Sequence, residues 1–228
     1  MIRTSDNIKL QFIPSSVISF DNIKLDKQIM SNDIYSKYQA TTEVSGQLII
    51  CNDLSKMKKY TKKIKKESYE EYLLDLEKRD QKKDEWIYNI INGIAEQDKI
   101  IYQDELCIVI PTFIWDEIDT EKLHILCLPK DISLRSIRSL EAKHIDLLNH
   151  MKKVSCDAIK KKYDIDDYEL KMFFHYEPST YHLHIHFVNM VHKDSGSSVE
   201  YSHELDSVLF NLNLDSDYYK KILLNKRC

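Results

Sequence analysis

The sequence predicts an α+β protein: a C-terminal domain with an antiparallel sheet and flanking helices, preceded by a small, mostly β N-terminal domain and a long charged connecting helix. Three observations lead there. Short, partly β-branched runs separated by Ser, Asn and Asp fill the first 55 residues. A charged, thinly apolar stretch with helical period follows. Beyond it, strand-like runs are interspersed with amphipathic helical ones. The expected boundaries are 1–55, 56–80 for the hinge or connector, and 81–228.

Element by element, Ile8–Ile13, Val17–Phe20 and Gln47–Ile50 read as strands. So small a segment could hardly bury a core alone and is expected to pack on something, such as a second subunit. From Lys56 to about Glu85, Met57, Tyr60 and Ile64 share one helical face, as do Tyr69, Tyr72, Leu73 and Leu76. The lysines at 56, 58, 59, 62, 63, 65 and 66 make either a solvated helix face or a phosphate-attracting one. Trp86–Ala95 reads as a short helix, and Lys99–Tyr102, Leu106–Ile110 and Leu123–Leu128 as strands. Glu141 to about Lys162 is an amphipathic helix with Ile145, Leu148, Met151, Val154 and Ile159 on one side. Tyr168–His175 and Tyr181–Val191 are two further strands, followed by a polar loop and one or two final helices.

Composition removes several function classes. The 228 residues carry 33 Lys+Arg against 37 Asp+Glu, too balanced to wrap long nucleic acid by charge alone. The three glycines, Gly46, Gly93 and Gly196, lie far apart, so no phosphate loop or dinucleotide fingerprint can be built. No apolar run approaches the ~20 residues of a membrane span, and the N-terminus lacks the apolar core of a secretion signal. Five cysteines without a CxxC pair fit free thiols in a reducing compartment, the cytoplasm or nucleus.

The most informative segment is Tyr181-His182-Leu183-His184-Ile185-His186-Phe187. In a strand its apolar members should pack on a core while His182, His184 and His186 line one exposed or cleft-facing stripe. Three chemistries suit such a stripe. A metal could take two of the rings and a third ligand such as His175; all three rings cannot comfortably reach one ion, since residues four apart on a strand are about 13 Å apart. The rings could instead be satisfied by hydrogen bonds on a solvated sheet. Or one imidazole could attack phosphorus, its second nitrogen held by an acceptor while neighbouring donors bear the phosphate charge.

His182-Leu183-His184-Ile185-His186-Phe187-Val188 resembles the signature of the histidine triad (HIT) nucleotide hydrolases and transferases. The likeness extends through His175–Tyr181, Leu134–Leu140, Trp86–Ile91 and Ser31–Ser36, which together look like the scavenger mRNA decapping enzymes. The resemblance implies a HIT-like catalytic domain. It implies metal-independent hydrolysis, without a cofactor, of the triphosphate bridge in short 7-methylguanosine-capped RNA fragments or cap dinucleotide. The products would be 7-methyl-GMP and a nucleoside diphosphate, at the end of 3′-to-5′ mRNA decay. His184 would be the nucleophile and form a transient nucleotidyl-histidine. His182, His186 and His175 would orient it, donate to the phosphates and assist the leaving group, and Ser179 would add a phosphate hydrogen bond. Trp86 would stack on the cationic base and Glu96 accept from its N1 and N2 edge, the first worth about 0.5–2 kcal/mol beyond area burial. Pro111 and Phe113 would face the other side of the base. Asn32 and Tyr35 would reach the cap from the N-terminal domain, and Lys59 and Tyr60 from the hinge, within a homodimer whose N-terminal domains are exchanged and close over the site. The expected partner is a capped fragment, with no long nucleic acid and no membrane.

The likeness has gaps. Thr112, Ile114, Thr180 and Tyr201 stand where the family usually has Asp, Lys, Tyr and Arg. Two alternatives therefore stay open: a HIT hydrolase of dinucleoside polyphosphates or phosphoramidates, and a catalytically weak cap-binding module.

Overall fold

Cys107-Ile108-Val109-Ile110-Pro111 and His124-Ile125-Leu126-Cys127-Leu128-Pro129 are apolar on both sides of a pleat, the pattern of strands covered on two faces. In the computed structural model of the chain both are buried throughout. Residues 64–79, 84–193 and 196–226 are described in full, and residue 227 and the strands 2–5, 8–12, 24–31, 35–41 and 46–51 by backbone alone. The chain divides into two compact units, residues 1–63 with Cys228, and 64–227.

The first unit is a five-stranded antiparallel sheet. Its strands are β1 (Ile2–Ser5), β2 (Ile8–Phe12), β3 (Lys24–Ser31), β4 (Tyr35–Thr41) and β5 (Gly46–Cys51), in the order β1-β2-β5-β4-β3. Two of the three expected strands coincide with β2 and β5. Val17–Phe20 lies outside the described residues.

The second unit opens with β6 (Ile64–Glu67) and α1 (Tyr69–Glu77). The continuous connector helix expected from the charge pattern is therefore corrected: its described part is a strand followed by a nine-residue helix. Two forces override the helical period. The backbone of β6 pairs with β13 (Leu224–Arg227), which no local pattern could foretell. Ser68 then forms a capping box with Glu71, its hydroxyl accepting from the Glu71 N–H and the Glu71 carboxylate from the Ser68 N–H, and so sets the helix start.

The larger sheet has the order β12-β10-β11-β9-β8-β7. Its strands are β7 (Tyr102–Gln103), β8 (Cys107–Pro111), β9 (His124–Pro129), β10 (Leu170–His175), β11 (Ile185–Asn189) and β12 (Ser202–Glu204), with antiparallel pairing throughout. Alternation gives it two faces. On one, Cys107, Val109, Ile125, Cys127, Phe174, Ile185 and Phe187 join a core with Leu148, Met151 and Ile159 of α3 (Ile145–Tyr163) and Leu205, Val208 and Leu212 of α4 (Leu205–Leu214). On the other, Ile108, Ile110, Leu126 and Leu128 pack on Ile87 and Ile90 of α2 (Glu85–Ile91), with Trp86 and Tyr88 against the cluster.

A buried guanidinium closes the first core. Arg138 donates to the carbonyls of Glu67, Tyr219 and Ile222, each at 2.7 Å, and to the Tyr176 hydroxyl at 3.2 Å. The Tyr176 hydroxyl in turn donates to the Glu67 carboxylate, which also accepts from Lys226 at 2.7 Å. The cation thus ties β6 to the short helix α5 (Tyr218–Lys221) with every contact hydrogen-bonded, the condition under which a charge is tolerated in a core.

Candidate active site

The register of β11 decides which side chains meet. His186 lies opposite Phe173 of β10 and Leu126 of β9, and Val188 opposite His124. His186, Phe173, Leu126 and, two residues along, His175 and His124 therefore share a face. It is the face on which α2 packs. The rings of His175 and His184 lie 4.2 Å and 4.8 Å from that of His186, and Phe173 stacks on His186 at 5.1 Å.

Of the two settings expected for the stripe, exposed or cleft-facing, the exposed one is corrected. His182, His184 and His186 are only 0%, 9% and 7% exposed, and β11 begins at Ile185, so His182 and His184 lie on irregular chain leading into it. That irregular backbone leaves carbonyls outside the ladder, and the imidazoles use them. His184 Nδ1 sits 2.7 Å from the His182 carbonyl oxygen. A carbonyl only accepts, so Nδ1 carries the proton and Nε2 holds the lone pair. The ring is thereby set as a nucleophile. Burial pushes its pKa down, while the His182 carbonyl and the Asp84 charge push it up.

His182 has a different place from the one expected. Its Nε2 donates to the Pro129 carbonyl at 2.7 Å, and its Nδ1 is buried without a partner. With its one proton engaged and no exposure, it orients the loop rather than offering a donor to phosphate. Burial lowers its pKa to about 4 against the opposing pull of the Pro129 carbonyl. His175 directs its Nε2 proton at the Gly196 carbonyl, 2.9 Å away. Gly196 has φ of +74°, and a Cβ there would sit 3.3 Å from the Tyr201 hydroxyl and 3.4 Å from the His175 ring, so a substitution would be strained and crowd both rings. Tyr201 packs on His175 at 4.8 Å.

Three residues outside the expected set of site residues hold this loop. Asp84 is fully buried and accepts from Arg79 at 3.0 Å, Arg135 at 3.3 Å and the Tyr181 N–H at 3.1 Å. Arg79 also donates to the Ser179 carbonyl at 2.9 Å and lies over the Tyr181 ring. Arg135 donates to the Tyr88 hydroxyl at 2.7 Å, and Tyr88 meets His182 edge-on at 6.0 Å. The network joins α2 to the chain just before His184. No signal in the sequence marked Asp84. Arg135 lay in a segment already singled out.

The base-binding candidates are spread over α2, the turn after it and the end of β8. Trp86 is half-buried on α2 against the second core cluster. Glu96 has a left-handed backbone with φ of 53°, and its carboxylate is 4.0 Å from Lys99. Pro111 ends β8, and Phe113 is half-buried two residues on. Thr112 has a local duty: its N–H and hydroxyl both bond the His124 carbonyl, at 2.9 and 3.1 Å. Ile114 is exposed and Thr180 buried. Ser179 is exposed. Asn32, Lys59 and Tyr60 lie outside the described residues, and Tyr35 opens β4 with only its backbone described.

Among the described residues, Asp104, Cys107 and His150 bring cation-ligand atoms within 4.8 Å of one another. The carboxylate is already saturated. One oxygen accepts the Leu106 and Cys107 N–H groups, and the other the Tyr102 hydroxyl and His150 Nε2. These bonds hold the Asp104 carboxyl well below its usual range against the opposing effect of burial.

Neutral buried histidines make stability pH-dependent. Burial lowers the pKa of His182 and His203 to about 4 and of His124 to about 3, from 6.5. Between those values and 6.5 the unfolded chain binds more protons, so stability falls as pH drops through that window. The urea midpoint should be clearly lower at about pH 5 than at about pH 7. Replacing His203, which packs away from the triad, with phenylalanine should flatten the slope; equal slopes in both proteins would contradict the assignment.

The profile described as "Scavenger mRNA decapping enzyme C-term binding" matches residues 85–202, which include α2, the strands β7 to β11 and the whole triad. The chain is 35% identical over 213 residues to the m7GpppX diphosphatase of Ascaris suum, covering 87% of this chain and 71% of that protein. For the m7GpppX diphosphatase of Caenorhabditis elegans the figures are 30%, 87% and 68%. For that of Schizosaccharomyces pombe they are 28%, 94% and 80%. Among solved structures, the aprataxin ortholog Hnt3 from Schizosaccharomyces pombe superposes with a TM-score of 0.41 and 18% identity, over 54% of this chain and 71% of that one. With the profile spanning more than half of the chain, and a 35% identical relative covered over most of its length, this protein belongs to the scavenger mRNA decapping enzyme family.

Proposed function

We propose that this chain hydrolyses the triphosphate bridge of 7-methylguanosine-capped fragments or cap dinucleotide, through a covalent intermediate on His184. The observation that carries the chemistry is the His184 Nδ1 bond to the His182 carbonyl, which leaves Nε2 unprotonated. The family supplies the substrate class, since the relatives are m7GpppX diphosphatases. In the first step the Nε2 lone pair forms a bond to the phosphorus bearing 7-methylguanosine. The P–O bond to the next phosphate breaks, and a nucleoside diphosphate leaves. Water then displaces His184, giving 7-methyl-GMP, and its proton is returned to the diphosphate or to solvent.

The base subsite rests on Trp86, Phe113 and Glu96, with Pro111 at the end of β8. Contacts from Asn32, Tyr35, Lys59 and Tyr60, and a phosphate bond from Ser179, rest on the resemblance. A homodimer, which rests on the resemblance, completes the reading, and a place in the cytoplasm or nucleus suits the free thiols at Cys107, Cys127 and Cys156.

The test is a three-substrate comparison in the absence of added metal: methylated cap dinucleotide, its unmethylated analogue and diadenosine tetraphosphate. Cleavage confined to the methylated compound supports the proposal. Preferential cleavage of the tetraphosphate overturns it, and so does tight binding without turnover. Trp86→Ala should raise KM for the methylated substrate between about twofold and thirtyfold relative to the unmethylated one, the range a cation–π contact supplies. Equal changes for both would remove the stacking role.

A further inference from the structure

Two tyrosines bracket the loop between His175 and the triad: Tyr176 directly follows His175, and Tyr181 directly precedes His182. Both are buried, and the Tyr72 ring of α1 lies 6.4 Å from the first and 6.2 Å from the second. Each hydroxyl donates to a carboxylate, Tyr176 to Glu67 and Tyr181 to Glu177 at 2.8 Å. Burial raises the pKa of both phenols, so each keeps the proton it donates.

The two carboxylates meet on one cation. The β6–β13 register sets Lys226 opposite Lys65, so Glu67, two residues along β6, shares its face. Lys226 Nζ lies 2.7 Å from Glu67 Oε1 and 3.7 Å from Glu177 Oε1, and it also bonds Asp75 of α1. Glu67 is buried, Lys226 and Glu177 are partly so, and Asp75 is exposed. Burial opposes the ammonium charge, but the bonds to Asp75 and Glu67 outweigh it and raise the Lys226 pKa. A continuous chain of side chains, Tyr176–Glu67–Lys226–Glu177–Tyr181, thus joins the two ends of the loop.

We propose that Lys226 is a positioning residue: its ammonium, by holding Glu67 and Glu177 together, clamps the two ends of the Tyr176–Tyr181 loop and fixes His175 relative to His184. This rests on the phosphoryl-transfer reading above. At one end the clamp acts on His175, whose ring packs 4.2 Å from that of His186. At the other it acts on His182, whose carbonyl accepts from His184 Nδ1 at 2.7 Å and so aims the nucleophile. With the clamp open these groups drift apart, and about 1 Å of misplacement can cost about a hundredfold in rate where reacting atoms must align. The base subsite on α2 lies outside the clamp, so the effect falls on kcat rather than KM. Lys226 touches no substrate and acts through two carboxylates and two phenols.

The experiment opens the clamp at each link. Lys226→Met removes the ammonium and keeps an apolar stem, and Lys226→Arg keeps a cation. Glu177→Gln keeps an acceptor for Tyr181 and removes the charge that draws Lys226. Tyr181→Phe removes the hydroxyl. With methylated cap dinucleotide, each of Lys226→Met, Glu177→Gln and Tyr181→Phe should lower kcat about fivefold to a hundredfold with KM within about twofold. Lys226→Arg should recover a substantial part of the loss. Asp75→Asn, at the exposed partner outside the clamp, should leave kcat within about twofold of wild type. The double variant Lys226→Met/Tyr181→Phe should be at most about twofold slower than the slower single one, because both open the same chain. Multiplied losses in the double variant would overturn the proposal, as would unchanged kcat in a folded Lys226→Met. Should Lys226→Met fail to fold, Glu177→Gln breaks the same link, and unchanged kcat there would overturn it equally. In the substrate-free protein, the imidazole 15N NMR signals of His175 and His184, identified by their loss in His175→Asn and His184→Asn, should move in all three clamp variants; unmoved signals would overturn the proposal. If the wild type cleaves no cap compound while those signals move, the failure lies with the assigned reaction and not with the clamp.

Discussion

His184→Asn should abolish turnover of methylated cap dinucleotide, with a loss on the order of 10³-fold or more, while substrate still binds. The asparagine amide can keep the bond to the His182 carbonyl but has no lone pair of imidazole strength to form the bond to phosphorus. The loss should therefore fall on kcat, because the base subsite on α2 and the rest of the triad are untouched. Rapid quenching of the wild type in base should trap a nucleotidyl group on the protein, since a phosphorus–nitrogen bond to imidazole survives base and is lost in acid. The label should be absent from His184→Asn. A label of equal amount in the variant would place the covalent step elsewhere, and full activity in the variant would remove the covalent mechanism. The depressed pKa of His184 has a second consequence: its lone pair stays available below the usual imidazole pKa of 6.5, so the acid limb of kcat should lie below that value.

Asp84→Ala should be the most destabilising single change near the site. The substitution strips the shared carboxylate from two guanidiniums and an acceptor from the Tyr181 N–H. Removing one partner of a fully buried pair costs about 3–5 kcal/mol; with the two arginine side chains about a fifth exposed, about 2–3 kcal/mol is expected. For a chain of this length that corresponds to a fall in Tm of about 4–12 °C. Catalysis should fall too, because Tyr181 lies three residues before His184 and its backbone would lose its anchor. Thermal unfolding of Asp84→Ala beside Arg79→Ala checks the assignment. The carboxylate variant should lose more stability, since it leaves two cations without their carboxylate, whereas in Arg79→Ala the buried carboxylate keeps Arg135 and the Tyr181 N–H. A Tm within a degree or two of wild type would show that the network holds nothing in place.

Much of the catalytic unit was legible. The 3.6-residue apolar period from Ile145 to Ile159 marked α3, and unbroken apolar runs marked β8 and β9. The spacing His182-x-His184-x-His186 drew attention to the proposed reacting group because few other chemistries ask for it. Less legible were features set by distant partners. β6 was taken for helix because its pairing with β13 joins segments more than 150 residues apart, and periodicity reports only local preference. The triad was read as a regular strand with an exposed or cleft-facing stripe. In the fold, β11 is flanked by β10 and β9, its two faces are covered, and the chain at His182 and His184 leaves the ladder so that its carbonyls hold rings instead of neighbouring strands.

The sequence by itself determined the α+β class, the candidate for the reacting imidazole and the family to which the chain belongs. These depend on local pattern and on residue types that must be present in order. Tertiary structure alone decided which nitrogen of His182, His184 and His175 faces a backbone carbonyl, and that Asp84 and His124 lie beside the triad. The physical reason is that a proton's position follows from the acceptor a few ångströms away, and those acceptors, at Pro129, His182 and Gly196, are backbone carbonyls. Every residue has such a carbonyl, so no residue letter distinguishes the one that the fold will bring beside an imidazole.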